Sequence, residues 1–336
     1  EIMAWQLYQG DALETLKQMK DESINCCVTS PPYWGLRDYG CDGQMGLESS
    51  PDEYVSKMVE VFREVKRVLR KDGTLWLNLG DSYAGSWGNY APTGQGGQRP
   101  KNTERWQREA YEGKADWRPP TSNKLEGLKP KDLVGIPWMV AFALRADGWY
   151  LRSDIIWHKP NTMPESVRDR PTKAHEYIFL LSKSERYFYD ADSIREPLSE
   201  QRAKQAGKLV DPGNDAKKRK KQIEHDKKRG SGGHFDGHKW QMNPLGRNKR
   251  SVWTVATKPF KEAHFATFPP ELPEICIKAG CPEGGTVLDP FAGAGTTLFV
   301  AEQLGRNSIG IELNPEYCEI IRRRMAGLEM NLFQIQ

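Results

Sequence analysis

The sequence lacks the features expected of a membrane, secreted or metal-binding protein. Its mean hydropathy is −0.72, and no run approaches the roughly 18 apolar residues that a membrane-spanning helix requires. The first residues, Glu1 to Trp5, have neither the basic nor the apolar part of a secretory signal. The 6 cysteines form no CxxC pair and no cysteine–histidine spacing typical of zinc. We therefore expect a cytoplasmic protein with no membrane association, no disulfide framework and no metal site.

The sequence does contain enough apolar material for a core, together with one block of positive charge. Of its 336 residues, 38% are hydrophobic and 28% charged, which suits one large α/β domain with an appended module. The net charge is +4, yet residues 195–250 contain 16 Lys and Arg against 7 Asp and Glu. A block of this kind is typical either of a solvated loop or of a surface that binds nucleic acid.

The hydrophobic periodicity predicts strands that alternate with helices. The expected strands cover residues 5–9, 24–29, 74–79, 150–157, 175–182, 286–289 and 308–312. The expected helices cover residues 13–19, 52–70, 133–147, 270–280, a segment ending at 304, and 315–328. Asp72-Gly73 is expected to end the second helix, and residues 82–130 interrupt the pattern. The alternation predicts an α/β fold with a doubly wound, mostly parallel sheet.

A glycine-containing turn follows the strand that ends at Asp289. Gly293 and Gly295 lie one residue apart between this strand and the next helix, a spacing that lets the backbone approach a ligand closely. A dinucleotide fingerprint would have a third glycine where the chain has Leu298, which disfavours a dinucleotide oxidoreductase. Glu312 ends the next strand and can accept both hydroxyl groups of a ribose. The pattern favours a nucleoside site without a phosphate cradle over a turn without a ligand.

A rigid loop, Ser30-Pro31-Pro32-Tyr33, follows another buried strand. The two prolines lack N–H donors and fix an extended backbone, so the carbonyl groups of the loop are available to a ligand. The Tyr33 ring can stack on a planar base, and the Ser30 hydroxyl can donate or accept a hydrogen bond. The alternative is a proline-rich turn in which tyrosine covers the core. Because α/β sheets bind ligands at the carboxyl ends of their strands, we favour a site for the exocyclic amino group of a base.

Together the two motifs resemble those of the amino-methylating DNA methyltransferases, which use S-adenosylmethionine. The segment from Ser30 to Tyr33 is similar to the catalytic motif of that family, and the segment from Asp289 to Thr296 is similar to its cofactor loop. The catalytic motif comes first, which is the circularly permuted order of the beta class. The resemblance implies a Rossmann-like methyltransferase fold, with a target-recognition region inserted where the basic block lies.

The resemblance also implies a reaction. Serine before the diproline usually accompanies methylation of the cytosine N4 amino group in this family, whereas Asp or Asn accompanies adenine N6. We therefore expect a DNA cytosine-N4 methyltransferase; adenine-N6 methylation remains the alternative, and a catalytically inactive nucleic-acid-binding protein is a more remote one. The base would be flipped out of the duplex. It would stack on Tyr33 and donate from its amino group to the Pro31 carbonyl and the Ser30 hydroxyl. The residues expected in catalysis are Ser30, Pro31, Pro32 and Tyr33.

On the cofactor side, the resemblance implies that Glu312 holds the ribose, Asp11 the adenine amino group and Asp289 the methionine amine. The residues expected to bind S-adenosylmethionine are Asp11, Ala12, Thr267, Phe268, Asp289, Phe291, Gly293, Gly295, Thr296 and Glu312. The residues expected to contact DNA are Lys217, Lys218, Arg219, Lys220, Lys221, Arg247, Lys249 and Arg250.

The expected organisation follows from the same motif order. The catalytic half would occupy residues 1–81 and 131–194, with an insertion over 82–130 that could clamp DNA. The target-recognition region would occupy residues 195–256 and the cofactor-binding half residues 257–336. The expected partner is double-stranded DNA, bound by a monomer or a homodimer, with a cognate restriction endonuclease that acts separately.

Overall fold

The computed structural model describes residues 5–36, 41–84, 127–198, 243, 245–258 and 268–333. The chain divides into two compact units, one formed by residues 1–189 with 251–336 and the other by residues 190–250. The second unit begins and ends slightly before the region expected at 195–256. Most of the 82–130 insertion and the basic run from Lys217 to Lys221 lie outside the described residues.

The first unit contains an eight-stranded sheet and six helices within the described ranges. The strands are β1 Trp5–Gln9, β2 Ile24–Thr29, β3 Leu69–Leu79, β4 Tyr150–His158, β5 His175–Ser182, β6 Val252–Thr254, β7 Thr286–Asp289 and β8 Asn307–Glu312. The helices are α1 Ala12–Gln18, α2 Pro51–Val68, α3 Ile136–Ala146, α4 Glu271–Gly280, α5 Thr296–Gln303 and α6 Pro315–Phe333. None of the helices within the described residues combines the length and the apolar character that a membrane span requires.

The strand order is β1-β8-β7-β2-β3-β5-β4-β6, and every neighbouring pair is parallel except β3–β5 and β5–β4. Helices cover both faces, as alternate residues of β3 show. Leu75 and Leu77 pack in the core that includes side chains of α1, α2 and α3. Thr74 has the opposite orientation and donates to the Gly280 carbonyl at the end of α4, at 3.3 Å. The prediction of a doubly wound, mostly parallel sheet is confirmed.

The end of α2 differs from the prediction. The helix begins at the N-cap Ser50, whose side chain accepts from the Glu53 amide at 3.2 Å. It ends at Val68, because Leu69 already has extended backbone angles of φ −66° and ψ 140°. The prediction that the helix continues to residue 70 and ends at Asp72-Gly73 is wrong. That segment belongs to a bulge within β3, between the residues that pair with Ile24 and Cys26 of β2, in which Asp72 is exposed and Gly73 is buried.

The two motifs meet where the winding of the sheet reverses. Strands β2 and β7 are neighbours, with Cys27 opposite Leu288. From β2 the chain continues to β3 on one side, and from β7 it continues to β8 on the other. Such a switch point leaves a crevice at the carboxyl ends of the strands, where α/β proteins bind ligands. The Ser30–Tyr33 loop and the glycine-containing turn therefore border the same crevice.

Candidate active site

A cavity of about 320 Å³ occupies this crevice. Its walls combine apolar side chains with a few polar groups, a composition typical of ligand sites. The residues predicted from sequence that line it are Asp11, Ala12, Ser30, Pro31, Pro32, Tyr33, Phe268, Phe291, Gly293, Thr296 and Glu312. Thr267 lies outside the described residues. The structure thus brings the catalytic loop and most of the expected cofactor residues around one space.

Glu312 presents a desolvated carboxylate to the cavity. Its Oε2 accepts from the Gly293 amide at 2.8 Å, and its Oε1 accepts from the Asn314 amide at 2.8 Å. Burial raises the pKa of Glu312 to about 7. Each carboxylate oxygen has a further lone pair, so the group can accept two more hydrogen bonds. This arrangement suits a vicinal diol, such as the two hydroxyl groups of a ribose.

The two glycines of the turn have different reasons to be glycine. Gly293 has a φ of 52° and lines the cavity, where its amide donates to Glu312. Gly295 has a φ of 75° and forms the N-cap of α5. A Cβ at Gly295 would lie 2.9 Å from Ile321 of α6. Glycine at 295 is therefore required by backbone conformation and helix packing, not by an approach to the cavity as we had expected.

Asp289 lies beneath the cavity and is not part of the described wall. Its carboxylate accepts from the hydroxyl groups of Thr29 and Thr297, each at 2.7 Å, and from the Phe291 amide at 3.1 Å. Burial raises the pKa of Asp289 to about 6. The structure therefore differs from the expected contact with a methionine amine. Asp289 instead ties the residue before Ser30 to the cofactor loop.

The Ser30–Tyr33 loop is fixed by its neighbours. The Tyr54 hydroxyl donates to the Pro32 carbonyl at 2.8 Å. One face of the Tyr33 ring packs against Gly80, where a Cβ would come within 2.5 Å of the ring. The Tyr33 hydroxyl donates to Glu176 Oε2 at 2.8 Å and lies 3.0 Å from Asn78 Oδ1. The loop is thus held in one position before any ligand binds.

Three residues of this network were given no chemical role in the sequence analysis. Asn78 is the penultimate residue of β3, and its Oδ1 accepts from the Ser30 hydroxyl at 3.2 Å. Glu176 is the second residue of β5 and pairs with Lys159, which follows β4. All three line the cavity. A polar residue at the end of an apolar strand, as Asn78 is after Leu75–Leu77, is the signal that could have indicated them.

Two of the arginines expected to contact DNA share one carboxylate in the second unit. Arg247 and Arg250 bind Glu196 Oε2 at 2.8 and 2.9 Å. The arginine side chains remain 43% and 67% exposed, so both can still reach a ligand. Lys249 lies between them in the chain.

Comparison with known proteins identifies the family of the chain and agrees with its fold. A sequence model of the DNA methylase family N6_N4_Mtase matches residues 24–323. The Type II methyltransferase M.Cfr9I of Citrobacter freundii is 46% identical over 336 residues, covering 100% of this chain and 92% of that protein. The Type II methyltransferase M.SmaI of Serratia marcescens is 46% identical over 317 residues, covering 94% of this chain and 89% of that protein.

Two solved structures share the fold. The PvuII DNA methyltransferase, described as cytosine-N4-specific, has a TM-score of 0.58 at 19% identity, covering 96% of this chain and 88% of that one. TTHA0409 of Thermus thermophilus, complexed with S-adenosyl-L-methionine, has a TM-score of 0.54 at 24% identity, covering 96% and 95%. The expected Rossmann-like methyltransferase fold is confirmed. The family-model match over residues 24–323 and the 46% identity to the two Type II methyltransferases show that the chain is a Type II DNA methyltransferase of the N6/N4 DNA methylase family.

Proposed function

We propose that the protein methylates the N4 amino group of cytosine in duplex DNA. The observation that supports this most directly is the position of Ser30. Its hydroxyl lies at the carboxyl end of β2, on the wall of the cavity that Glu312 also lines. In the N6/N4 family, serine before the diproline usually accompanies cytosine methylation, and Asp or Asn usually accompanies adenine methylation. Adenine N6 is the alternative product.

The cavity residues fit S-adenosylmethionine, the methyl donor of this family. When bound, this cofactor supplies an electrophilic methyl group on a sulfonium. Glu312 would accept the two ribose hydroxyl groups, since its carboxylate is buried without a cationic partner among the hydrogen bonds it makes. Asp11 caps α1 by accepting from the Glu14 amide at 2.9 Å, and it has lone pairs left for an adenine amino group. Phe268 and Phe291 contribute apolar surface to the cavity wall.

The hydrogen bonds of Ser30 favour a role as acceptor toward the base. A serine hydroxyl has one proton and two lone pairs. The carbonyl oxygen of Asn78 can only accept, so the Ser30 proton is directed to Asn78 or to the Tyr33 oxygen, at 3.2 and 3.3 Å. The lone pairs of Ser30 are then left for an amino group in the cavity. With the Pro31 carbonyl as second acceptor, the target nitrogen would become pyramidal, with its own lone pair directed at the methyl group.

The remaining roles concern how the base reaches this position. A base paired within a duplex cannot reach the cavity, so it must be flipped at a cost of a few kcal/mol. The Tyr33 face opposite Gly80 would stack on it. Arg247, Lys249 and Arg250 of the second unit would contact DNA, as would Lys217 to Lys221. Three further statements remain predictions: that residues 82–130 clamp DNA, that the protein acts as a monomer or homodimer, and that a cognate endonuclease acts separately.

Nucleoside mass spectrometry tests the proposal. Purified protein is incubated with S-adenosylmethionine and long, unmethylated duplex DNA of mixed sequence, which is then digested to nucleosides. We expect N4-methylcytosine, and far less of it from the Tyr33→Ala variant in the same incubation time. N6-methyladenine in place of N4-methylcytosine would retain the family and the fold but overturn the assignment based on Ser30.

A further inference from the structure

We propose that Glu176 is a positioning residue for methyl transfer and that it acts through Tyr33 and Asn78. Lys159 would complete this role as the counter-ion of Glu176. The inference rests on the proposed function, because that function places Tyr33 and Ser30 next to the target base. It does not depend on whether that base is cytosine or adenine.

Glu176 is the point where the hydrogen bonds of the catalytic side converge. Its Oε2 accepts from the Tyr33 hydroxyl at 2.8 Å and from Asn78 Nδ2 at 3.3 Å. Its Oε1 pairs with the Lys159 ammonium group. The donors come from the loop after β2, from the end of β3 and from the residue after β4. One carboxylate on β5 therefore binds side chains from three other parts of the sheet.

The Glu176–Lys159 pair is largely shielded from water. The two side chains are 16% and 18% exposed, and Lys159 Nζ also lies 4.2 Å from the centroid of the Trp157 ring. Trp157 is paired with Glu176 across β4 and β5. A shielded pair loses more when one partner is removed than an exposed pair does, because the remaining charge is left desolvated. The position of Glu176 is thus fixed by both charge and sheet register.

Glu176 and the Tyr177 carbonyl together determine which way the Asn78 amide points. Asn78 Nδ2 donates to Glu176 Oε2 and to the Tyr177 carbonyl, at 3.3 and 3.0 Å. Both partners can only accept, so the amide oxygen must face the other way, toward Ser30 and Tyr33. That oxygen can then accept the hydrogen bond of the Ser30 hydroxyl. Glu176 therefore acts, through Asn78, on the Ser30 hydroxyl that would accept a hydrogen bond from the target amino group.

Glutamine at this position would keep the shape and remove the charge. Its side chain has one acceptor oxygen, which cannot serve both Lys159 and the donors Tyr33 and Asn78. We therefore choose Glu176→Gln, Tyr33→Phe and the double variant. Lys278→Met serves as matched control, because Lys278 pairs with Glu274 along the outer part of α4, away from the cavity wall.

The readout is the transfer of tritiated methyl groups to duplex DNA, which counts either methylated base. We expect Glu176→Gln to lower kcat on the order of 10- to 100-fold, with KM for S-adenosylmethionine changed by less than about twofold. The double variant should lose no more than about threefold beyond the more damaged single variant. Lys278→Met should match the wild type. If the product is N6-methyladenine, the proposed target base is wrong, but the total methyl transfer still tests the role of Glu176.

Two outcomes would overturn the inference. If the losses of the single variants multiply in the double variant, Glu176 acts independently of Tyr33. If Glu176→Gln raises KM for S-adenosylmethionine at unchanged kcat, the residue serves the cofactor side instead. Should Glu176→Gln fail to fold, Lys159→Arg and Lys159→Met test the same pair. Arginine keeps the positive charge and should retain more of kcat than methionine does, and equal effects of the two would contradict the proposal.

Discussion

The two sides of the cavity are built by different kinds of contact. On the side proposed for the cofactor, Glu312 is bound by two backbone amides, that of Asn314, 2 positions away in the sequence, and that of Gly293, in the turn after the adjacent strand β7. On the catalytic side, Tyr33 is bound by side chains that are 45 and 143 positions away, Asn78 and Glu176. The cofactor side is thus set by local motifs and the catalytic side by the assembly of the sheet. The two should respond differently to mutation.

The largest expected effect separates the two sides. Tyr33→Ala removes the stacking platform and the hydroxyl bound to Glu176, so we expect turnover to fall by at least about 100-fold, given stacking worth about 1–3 kcal/mol per base and a further lost hydrogen bond. Affinity for S-adenosylmethionine, measured by calorimetry, should stay within about twofold. A collapse of cofactor affinity would show that the two sides are one unit.

A smaller effect concerns the charge of Glu312 and sharpens the comparison from the cofactor side. The pKa of Glu312 is about 7, and its ionised form is the better acceptor for two ribose hydroxyl groups. Affinity for S-adenosylmethionine should therefore be constant above pH 8 and weaken as the pH falls below 7, by up to about tenfold per unit. Calorimetry between pH 5.5 and 8.5 measures this.

Glu312→Gln provides the matched control for that titration. The glutamine variant should bind S-adenosylmethionine on the order of 10-fold more weakly at pH 8, since a neutral amide accepts less strongly and at one oxygen only. Its affinity should not vary across the same pH range. A pH dependence that persists in Glu312→Gln would assign the titration to another group.

The smallest expected effect concerns Asp289, which joins the two sides. Its folded-state pKa of about 6 lies above the ordinary value of 3.8, so the folded state holds a proton that the unfolded state releases. Asp289 therefore favours folding below pH 4, and this advantage is lost as the pH rises through 6. Because the Asp289 oxygens accept from two threonine hydroxyls that can rotate, Asp289→Asn should fold normally and flatten this dependence.

Thermal unfolding at pH 5 and pH 8 measures the difference. We expect Asp289→Asn to gain stability over the wild type at pH 8, by at most about 3 kcal/mol, the equivalent of the shift in pKa. At pH 5 the two proteins should unfold at more similar temperatures. A loss of stability at both values would mean that the ionised carboxylate is needed to hold Thr29 and Thr297.

The sequence predicted those parts of the molecule that depend on neighbouring residues. The strands and helices follow from the hydrophobic periodicity. The position of Glu312 on the cavity wall could also be predicted, because the end of its strand and the glycine-containing turn are both local sequence patterns. The Asp72-Gly73 bulge was missed, since Gly after Asp reads as a helix stop although β2 and β5 pair with the flanking residues. Local chemistry alone could not reveal that pairing.

The same limit explains which contacts at the site could not be predicted. The partnership of Tyr33 with Glu176 depends on antiparallel pairing of β3 with β5, which no local pattern specifies. Asp289 has the residue type of a ligand contact, but its burial beneath Thr29 and Thr297 directs it to the protein interior. Long-range register decides such roles, and it becomes visible only in the assembled sheet.

The hydrogen bond between Thr29 and Asp289 has a consequence for folding kinetics. Its two residues are 260 positions apart in the chain. Contacts between such distant positions slow folding, because a long loop must close before they form. The cavity at the β2–β7 border therefore exists only once the beginning and end of the chain have met. Cofactor that binds there stabilises the completed native state by mass action and leaves earlier intermediates unaffected.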